Sequence, residues 1–321
     1  MITFTDARGV LMALKPDVTL SIIKNTRENE PGPRKVYYNE TVYRSGKGDE
    51  GFQEIMQTGL ECIGQVDDFL QCEVLTLACR SLAGIDAHYL LDVSHMGFVS
   101  ALVAEAAPQA QEELLRLIGQ KNVPGIRALC TREGVEAAYA RALEETATLY
   151  APAKAALSQL RRMVRNERMA QACDELGRTL EGVLRFDPQA KLMVDLSLVN
   201  DMHYYNGVIL RGFLDGVPSA VLSGGRYDNL LRRMGHDNGR AIGFALYVNL
   251  LEQLEREPAR YDVDVLLRYE AQDDMQDVIA AANALRAQRY SICAPAEDAP
   301  VRARRTACVE KGGYRFVDEN D

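Results

Sequence analysis

A long helix-forming block separates two β-rich segments, and this order constrains the fold more than any other feature of the chain. From about residue 99 to 182 the sequence is rich in Ala, Glu, Leu and Arg and poor in β-branched residues, with breaks near Pro108, Pro124-Gly125 and Pro152. Strand-like sequence returns soon afterwards in KLMVDLSLV. We therefore predict one sheet whose strands come from both sides of a helical insertion.

The first 65 residues predict two long strands joined by a polar loop. KVYYNETVYR and FQEIMQTGLECIG are rich in residues that favour strands, and the Gly-rich segment SGKGDEG separates them. This pattern predicts an antiparallel pair of strands. A long loop in a sheet whose other connections are short is often functional. A hairpin about Ala7-Arg8-Gly9 is predicted before the pair, and a helix that ends at Gly84 is predicted after it.

The sequence after the insertion completes the sheet and then changes character. GVILRGFLDGVPSAVLSGG predicts a hairpin about Asp215-Gly216, RYDNLLRRMG predicts a helix, and AIGFAL predicts a strand. After Glu257-Pro258, which we interpret as a linker, the predicted order is strand, helix, strand and hairpin. We predict an α+β fold with helices flanking an antiparallel sheet, a core domain over residues 1–256 and a small α/β domain over residues 261–321.

Composition excludes several classes of protein. The chain has 321 residues, a formal net charge of −9 and seven cysteines, none of them in a CxxC pair. The negative charge argues against a protein that coats nucleic acid, and the scattered cysteines predict free thiols in a reducing cytoplasm. We find no signal peptide and no apolar run long enough to span a membrane, so we expect a cytoplasmic protein with no membrane attachment, metal or cofactor.

The first candidate cluster is Asp17 and Thr19, which follow Pro16 at the end of a predicted strand. A carboxylate and a hydroxyl held close together suit an ammonium group. Asp17 is also well placed to cap the helix that LSIIKN predicts, because an Asp at that position accepts a backbone hydrogen bond. Both interpretations remain open at the level of the sequence.

The second cluster flanks the polar loop. Arg44 precedes the loop, and its planar guanidinium could neutralise a carboxylate or phosphate. Gln57 and Glu61 follow the loop, and their spacing places them on one face of the strand, where Glu61 could bind an amine. The alternative is that these residues form the polar surface of a half-buried sheet.

The third cluster is His203 with the adjacent pair Tyr204 and Tyr205. Neighbouring residues of a strand point to opposite faces, so one phenol can pack while the other faces a ligand. We interpret His203 as a loop or surface histidine rather than a general base. The later segment SGGR lacks the GxxxxGK[ST] pattern of a phosphate loop, but its glycines would let a helix start lie close to a ligand. The candidate floor of the site is therefore Gly224, Gly225 and Arg226.

Taken in order, these clusters resemble the class II aminoacyl-tRNA synthetases in their histidyl form. MALKPDVTLSIIK resembles the Arg-Pro-Glu-Gly-Thr segment of that family, and VYRSGKGDEGFQEIMQTGLECIG resembles its motif 2. HYYNGVILRGF resembles the segment that closes on the histidine ring, and SGGRYDNLLRRMG with AIGFAL resembles motif 3. The resemblance covers about residues 2 to 256, apart from the insertion. It implies a histidine site formed by Asp17, Thr19, Arg44, Gln57, Glu61, Tyr204 and Tyr205.

The chain departs from the synthetases where they bind ATP. Asn200-Asp201 stands where the family has an arginine before the double tyrosine, and Leu250 stands where motif 3 ends in an arginine. The motif 2 loop keeps Lys47 as its only cation. Because cations stabilise the charge that develops on a reacting triphosphate, we expect almost no amino-acid activation.

A retained amino-acid pocket without an ATP site resembles the synthetase-like regulatory subunits of ATP phosphoribosyltransferase. That resemblance implies a non-catalytic chain that binds the short-form catalytic subunit, responds to L-histidine as effector, assembles as a hetero-octamer of four chains of each kind, and does not bind tRNA. A divergent or truncated histidyl-tRNA synthetase, or a paralogue that uses ATP to modify another molecule, is the alternative. The family's motif 1, which forms much of the dimer interface, would precede the start of this sequence, so whether the start is truncated stays open. The resemblance itself implies self-association of the chain.

Overall fold

An eight-stranded sheet forms the centre of the larger of two units. The structure, a computed structural model, describes residues 2–26, 32–46, 51–199, 204–236, 239–254, 261–295 and 300–317. The chain divides into Met1–Leu254 and Glu255–Asp321. In the first unit, β1 (Thr3–Thr5) and β2 (Leu11–Ala13) form a separate antiparallel hairpin, as the sequence predicts.

The large sheet has the order β3-β4-β10-β9-β8-β5-β7-β6. Its neighbours are antiparallel except β5 and β7, which run parallel because the helical insertion connects them. Strands from before and after the insertion therefore share one sheet. The strands are β3 (Arg34–Ser45), β4 (Phe52–Gly64), β5 (Tyr89–His95), β6 (Tyr150–Pro152), β7 (Leu192–Asp195), β8 (Val208–Leu214), β9 (Leu222–Arg226) and β10 (Arg240–Tyr247).

Most helices cover one face of this sheet, and the candidate site lies on the other face beside two short helices, one before β3 and one before β10. Helices α2 and α8 pack on each other and on β5, and the apolar residues between them form the main core. The helices are α1 (Val18–Lys24), α2 (Asp68–Ala83), α3 (Met96–Ala106), α4 (Gln111–Gly119), α5 (Val123–Glu133), α6 (Ala137–Thr148), α7 (Ala153–Met163), α8 (Glu167–Phe186) and α9 (Asp228–Arg233), followed by a 3-10 helix (Val248–Gln253).

The helical insertion differs from its prediction in three details. It begins earlier, because His95 accepts the backbone N–H of Phe98 and caps α3. The predicted break at Pro124-Gly125 lies within the first turn of α5, where a proline needs no backbone donor and Asn122 caps the helix. Around Pro152 the chain forms β6, a short edge strand of the large sheet, rather than a simple helix break.

The second unit is a small α/β layer. Its sheet has the order β12-β11-β13-β14, in which β11 runs parallel to β12 and β13. Helix α10 packs on this sheet around Leu267, Leu285 and Ala307. The elements are β11 (Val263–Arg268), α10 (Met275–Ala287), β12 (Ile292–Cys293), β13 (Ala303–Glu310) and β14 (Gly313–Val317).

The seven thiols are all free, and five of them are buried. Burial raises the pKa of the Cys62 and Cys79 thiols to about 12, so both remain protonated and unreactive at neutral pH. Within the described ranges, no group of three or more His, Cys, Asp and Glu side chains is arranged to hold a metal ion. No helix in the same ranges has the length and apolar character that crossing a membrane requires.

Two glycines of α8 give a test of the packing against this helix. A Cβ atom at Gly177 would lie 3.7 Å from Leu157 Cδ2, which is ordinary contact, whereas a Cβ atom at Gly182 would overlap Cys72 Sγ. Gly177→Ala should therefore stabilise the protein by about 0.5–1 kcal/mol, because glycine is entropically unfavourable in a helix. Gly182→Ala should destabilise it by about 1–3 kcal/mol through overpacking. Urea unfolding measures both, and equal effects would contradict this packing.

Candidate functional site

A cavity of about 270 Å³ lies on the face of the large sheet opposite α2 and α8. It is smaller than the roughly 300–1,000 Å³ of sites for drug-sized ligands, so it suits a compact molecule. Its wall is mainly polar and comes from α1, the strands β3, β4, β9 and β10, and the segment before β8. The lining residues are Asp17, Thr19, Tyr38, Arg44, Gln57, Glu61, Tyr204, Tyr205, Ser223, Gly224, Tyr227, Gly243, Phe244, Ala245 and Tyr247.

Glycines make room for the polar groups of the cavity. Glu61 lies opposite Gly243 on the neighbouring strand, and a Cβ atom at Gly243 would overlap the Glu61 carboxylate. Gly225 lies opposite Gly243 on the other side, and a Cβ atom there would lie 2.9 Å from the ring of Tyr205. The backbone of β9 and β10 is therefore a flat floor on which the Glu61 carboxylate and the Tyr205 ring rest directly.

Glu61 is the most constrained acid of the cavity. Its side chain is only 3% exposed, and its two oxygens accept hydrogen bonds from Thr19 Oγ1 at 2.6 Å and from the Tyr227 hydroxyl at 2.5 Å. Burial raises the pKa of Glu61 to about 7, although these two hydrogen bonds oppose the shift. At neutral pH the group is therefore divided between its charged and uncharged forms, and a cation in the cavity would favour the charged form.

Asp17 takes both of the roles that the sequence left open. One carboxylate oxygen, Oδ1, accepts the backbone N–H of Leu20 at 2.8 Å and caps α1, while the residue also lines the cavity. The other oxygen lies 3.9 Å from Nη2 of Arg44, and Arg44 Nε donates to the Pro16 carbonyl at 3.3 Å. The Arg44 guanidinium is thus held at the mouth of the cavity by groups of the protein itself.

The double tyrosine forms one wall of the cavity. The rings of Tyr204 and Tyr205 lie 4.6 Å apart, and Tyr204 lies 6.1 Å from the ring of Tyr227. Burial raises the pKa of all three phenols, so they remain neutral hydrogen-bond donors at physiological pH. The preceding residues Asn200, Asp201 and His203, and also Lys47 of the polar loop, lie outside the described residues.

The structure brings most of the predicted site together but not all of it. Asp17, Thr19, Arg44 and Gln57 line the cavity with Glu61, Tyr204, Tyr205 and Gly224. Gly225 lies beneath the Tyr205 ring, and the Arg226 side chain does not reach the cavity. Arg226 instead donates from Nε to Asp228 at 2.9 Å and from Nη1 to Glu175 of α8 at 3.1 Å.

Several lining residues were not predicted. Tyr38 lies opposite Gly59, and a Cβ atom at Gly59 would lie 2.5 Å from the Tyr38 hydroxyl, so this ring depends on the pairing of β3 with β4. Ser223 and Tyr247 form a hydrogen bond of 2.6 Å. For β10, the spacing of two between Gly243, Ala245 and Tyr247 was the sequence signal that could have placed these residues on one face of the strand. The unpredicted lining residues are Tyr38, Ser223, Tyr227, Gly243, Phe244, Ala245 and Tyr247.

A partly buried polar network connects the cavity wall to α8. Asn206, next to the double tyrosine, donates to Asp228 at 3.1 Å, and Asp228 also accepts from Arg226. Glu175 of α8 accepts from Arg226 and lies 3.6 Å from Nε2 of His95. Burial alone would raise the pKa of Glu175, but the contacts with His95 and Arg226 outweigh it and lower the pKa to about 2. Glu175 therefore stays charged.

The hydrogen bond from Tyr227 gives a test of the site's electrostatics. Tyr227→Phe removes a donor that stabilises the charged form of Glu61, so the pKa of Glu61 should rise further above 7, by about one unit. A carbon-detected NMR titration of the Glu61 carboxyl measures this shift. Tyr247→Phe is the matched control, because that phenol bonds to Ser223. An unchanged or lowered pKa in Tyr227→Phe would contradict the described geometry.

Comparison with known proteins places the chain in a family. The family model for histidyl-tRNA synthetase matches residues 1–251. The ATP phosphoribosyltransferase regulatory subunit of Streptococcus gordonii is 32% identical over 256 residues, which cover 77% of this chain and 76% of that protein. For several other curated regulatory subunits the chain spans about two thirds of the relative's length.

Solved structures agree with this fold. The protein described as an ATP phosphoribosyltransferase regulatory subunit/histidyl-tRNA synthetase from Bacillus halodurans matches with a TM-score of 0.70 and 25% identity, over 90% of this chain and 76% of that one. A chain of the ATP phosphoribosyl transferase (HisG:HisZ) complex from Thermotoga maritima matches with a TM-score of 0.63 and 20% identity, over 76% of this chain and 84% of that one. The chain belongs to the histidyl-tRNA synthetase-like family, among the ATP phosphoribosyltransferase regulatory subunits.

Proposed function

We propose that this chain is a non-catalytic subunit that activates a short-form ATP phosphoribosyltransferase and makes it sensitive to L-histidine, in the first step of histidine biosynthesis. The observation that carries the proposal is the small polar cavity of a family member, with the buried carboxylate of Glu61 on its floor. A chain of related fold belongs to the HisG:HisZ transferase complex of Thermotoga maritima, and that assembly supports the proposed partner.

The polar groups of the cavity match the parts of a histidine molecule. Asp17, Thr19 and Glu61 lie at one end and together supply two carboxylates and a hydroxyl for an ammonium group. Tyr204 and Tyr205 supply aromatic faces and phenolic hydroxyls for the imidazole. In this arrangement the ammonium group neutralises carboxylates that are otherwise costly to keep charged below the surface.

The replacement of two residues that act on ATP in the synthetases argues against adenylate formation by this chain. By resemblance to the synthetases, the two arginines that act on ATP are replaced by Asn200 and Leu250 in this chain. Leu250 is a half-buried residue of the 3-10 helix and packs against the main core, so it offers no charge to a triphosphate. Without such cations the transition state for activation loses its main electrostatic stabilisation.

The network behind the cavity supports a regulatory role. A ligand that orders Tyr204 and Tyr205 also fixes Asn206, which is bonded to Asp228 and through Arg226 to Glu175 of α8. Feedback inhibition requires only that histidine bind the inhibited assembly better than the active one, and a tenfold preference corresponds to about 1.4 kcal/mol. We propose that this network couples histidine binding in the cavity to the surface of α8, and that this coupling supplies part of the difference in binding free energy.

Histidine binding tests the assigned role of Glu61. Glu61→Gln should weaken L-histidine binding at least about tenfold by calorimetry at pH 8, because an ionised partner for the ammonium group is lost. In the unmodified chain the affinity should rise with pH through about 7 and then level off, since binding requires the charged carboxylate and releases its proton below that pH.

Two comparisons sharpen that measurement. Glu54→Gln, on the same strand but exposed, should leave affinity and pH dependence unchanged. The imidazole of histidine itself titrates in this range, but this contribution is common to every variant, so only the difference between Glu61→Gln and the unmodified chain reports on Glu61. Equal affinity of the two proteins at pH 8 would remove this cavity from the proposed function.

The complete proposal is tested by reconstitution with a short-form catalytic subunit. The two chains should co-elute, phosphoribosyl transfer should increase severalfold on mixing, and histidine should then suppress it. Histidine-dependent ATP–pyrophosphate exchange by this chain alone should be absent. Robust exchange without any effect on the transferase would instead identify a divergent histidyl-tRNA synthetase.

A further inference from the structure

Arg211 is a half-buried arginine next to the cavity. It lies on β8, directly opposite Ser223 of β9 on one side and Asp92 of β5 on the other. Among the described residues no hydrogen bond or ion pair to its guanidinium is found. Arg211 acts on Asp92 electrostatically, but the hydrogen bond that Asp92 accepts comes from the Tyr150 hydroxyl, at 3.5 Å. Within the described part of the chain, the donors of Arg211 therefore remain available to a ligand.

Strand register directs the Arg211 side chain toward the cavity. Residues directly opposite each other on neighbouring strands point to the same face, and Ser223 lines the cavity. Arg211 also acts electrostatically on the Tyr205 hydroxyl, where it opposes the rise in pKa that burial causes, so the guanidinium lies within electrostatic range of the double tyrosine. A long cationic side chain therefore adjoins the wall formed by Ser223 and Tyr205.

From these placements we propose that Arg211 binds the carboxylate of the amino acid whose ammonium group lies on Glu61. This inference rests on the proposed function, and it deepens it by assigning the group that recognises the acidic end of the ligand. An arginine presents a planar pair of N–H donors that matches a carboxylate. A ligand that carries both charges would contact Glu61 inside the cavity and Arg211 at its edge, beside Ser223.

The distances agree with an α-amino acid. The Glu61 carboxylate lies over Gly243, and Gly243 and Arg211 are two strand spacings and two residues apart, about 12 Å between Cα atoms. The arginine side chain extends from its own Cα toward the cavity and shortens that span. A bridging amino acid needs about 9 Å from carboxylate to guanidinium: two charge-assisted hydrogen bonds of about 2.8 Å and about 3 Å between its own nitrogen and oxygen.

Arg44 is the competing assignment, and its surroundings argue against it. Its side chain is 44% exposed, and it already lies 3.9 Å from Asp17 and donates to the Pro16 carbonyl. It is also on the same side of the cavity as the carboxylates that would hold the ammonium group. A carboxylate bound there would approach Asp17, whereas one at Arg211 lies away from both Asp17 and Glu61.

Comparison of two ligands tests the proposal on the full chain. L-Histidinol has a neutral hydroxymethyl group in place of the carboxylate of L-histidine, so the ratio of their affinities isolates the contribution of the carboxylate. The unmodified chain should prefer histidine by at least about tenfold, as expected for a hydrogen bond between charged groups. Arg211→Met should reduce that ratio to about one and leave the affinity for histidinol within about twofold. Arg44→Met should keep the preference.

Further outcomes separate this inference from the proposed function. Arg211→Lys, which retains the positive charge, should keep part of the preference, and thermal unfolding shows whether each variant is folded. A full histidine preference in a folded Arg211→Met, or its loss only in Arg44→Met, would overturn the assignment of Arg211 while leaving a histidine site intact. Binding of neither ligand by the unmodified chain would overturn the proposed effector, and this assignment with it.

Discussion

The burial of one carboxylate, that of Glu61, determines the arrangement around it. Its oxygens rest on the backbone of Gly243 and are held by Thr19 from α1 and Tyr227 from the start of α9. A carboxylate removed from water requires such donors, because an unsatisfied buried charge is strongly unfavourable. The contact therefore links the N-terminal helix, the long strand β4 and the β9–α9 connection into one site, although these segments are far apart in sequence.

Much of the fold follows from local patterns in the sequence. Strands β3 and β4 alternate and are rich in aromatic and β-branched residues, and Asp215-Gly216 marks the turn between β8 and β9, so these elements are predictable. The parallel pairing of β5 with β7 and the edge strand β6 are not, because they depend on how the insertion returns the chain to the sheet. Pairing between strands separated by the whole insertion leaves no local signal.

The site was predictable to the extent that its residues share a strand or a known motif. Gln57 and Glu61 are two of the alternate residues on one face of β4, and both line the cavity. Tyr38 and Tyr247 were missed because their positions depend on register between strands, which single-strand periodicity does not specify. Arg226 is next to two glycines at the site, but the alternation of β9 turns its side chain toward Glu175 on the helical side of the sheet.

The raised pKa of Glu61 also has a consequence for stability. In the unfolded chain this carboxyl ionises near its ordinary pKa of 4.5, whereas in the folded protein it ionises near 7. Between these values the folded state binds more protons than the unfolded state, so this group lowers the stability of the free protein as pH rises through that range. Above pH 7 this loss of stability is complete and no longer changes with pH. A ligand that places a cation next to Glu61 stabilises the charged carboxylate and restores part of this stability. The raised pKa of Glu61 therefore favours binding of a positively charged ligand over a neutral one.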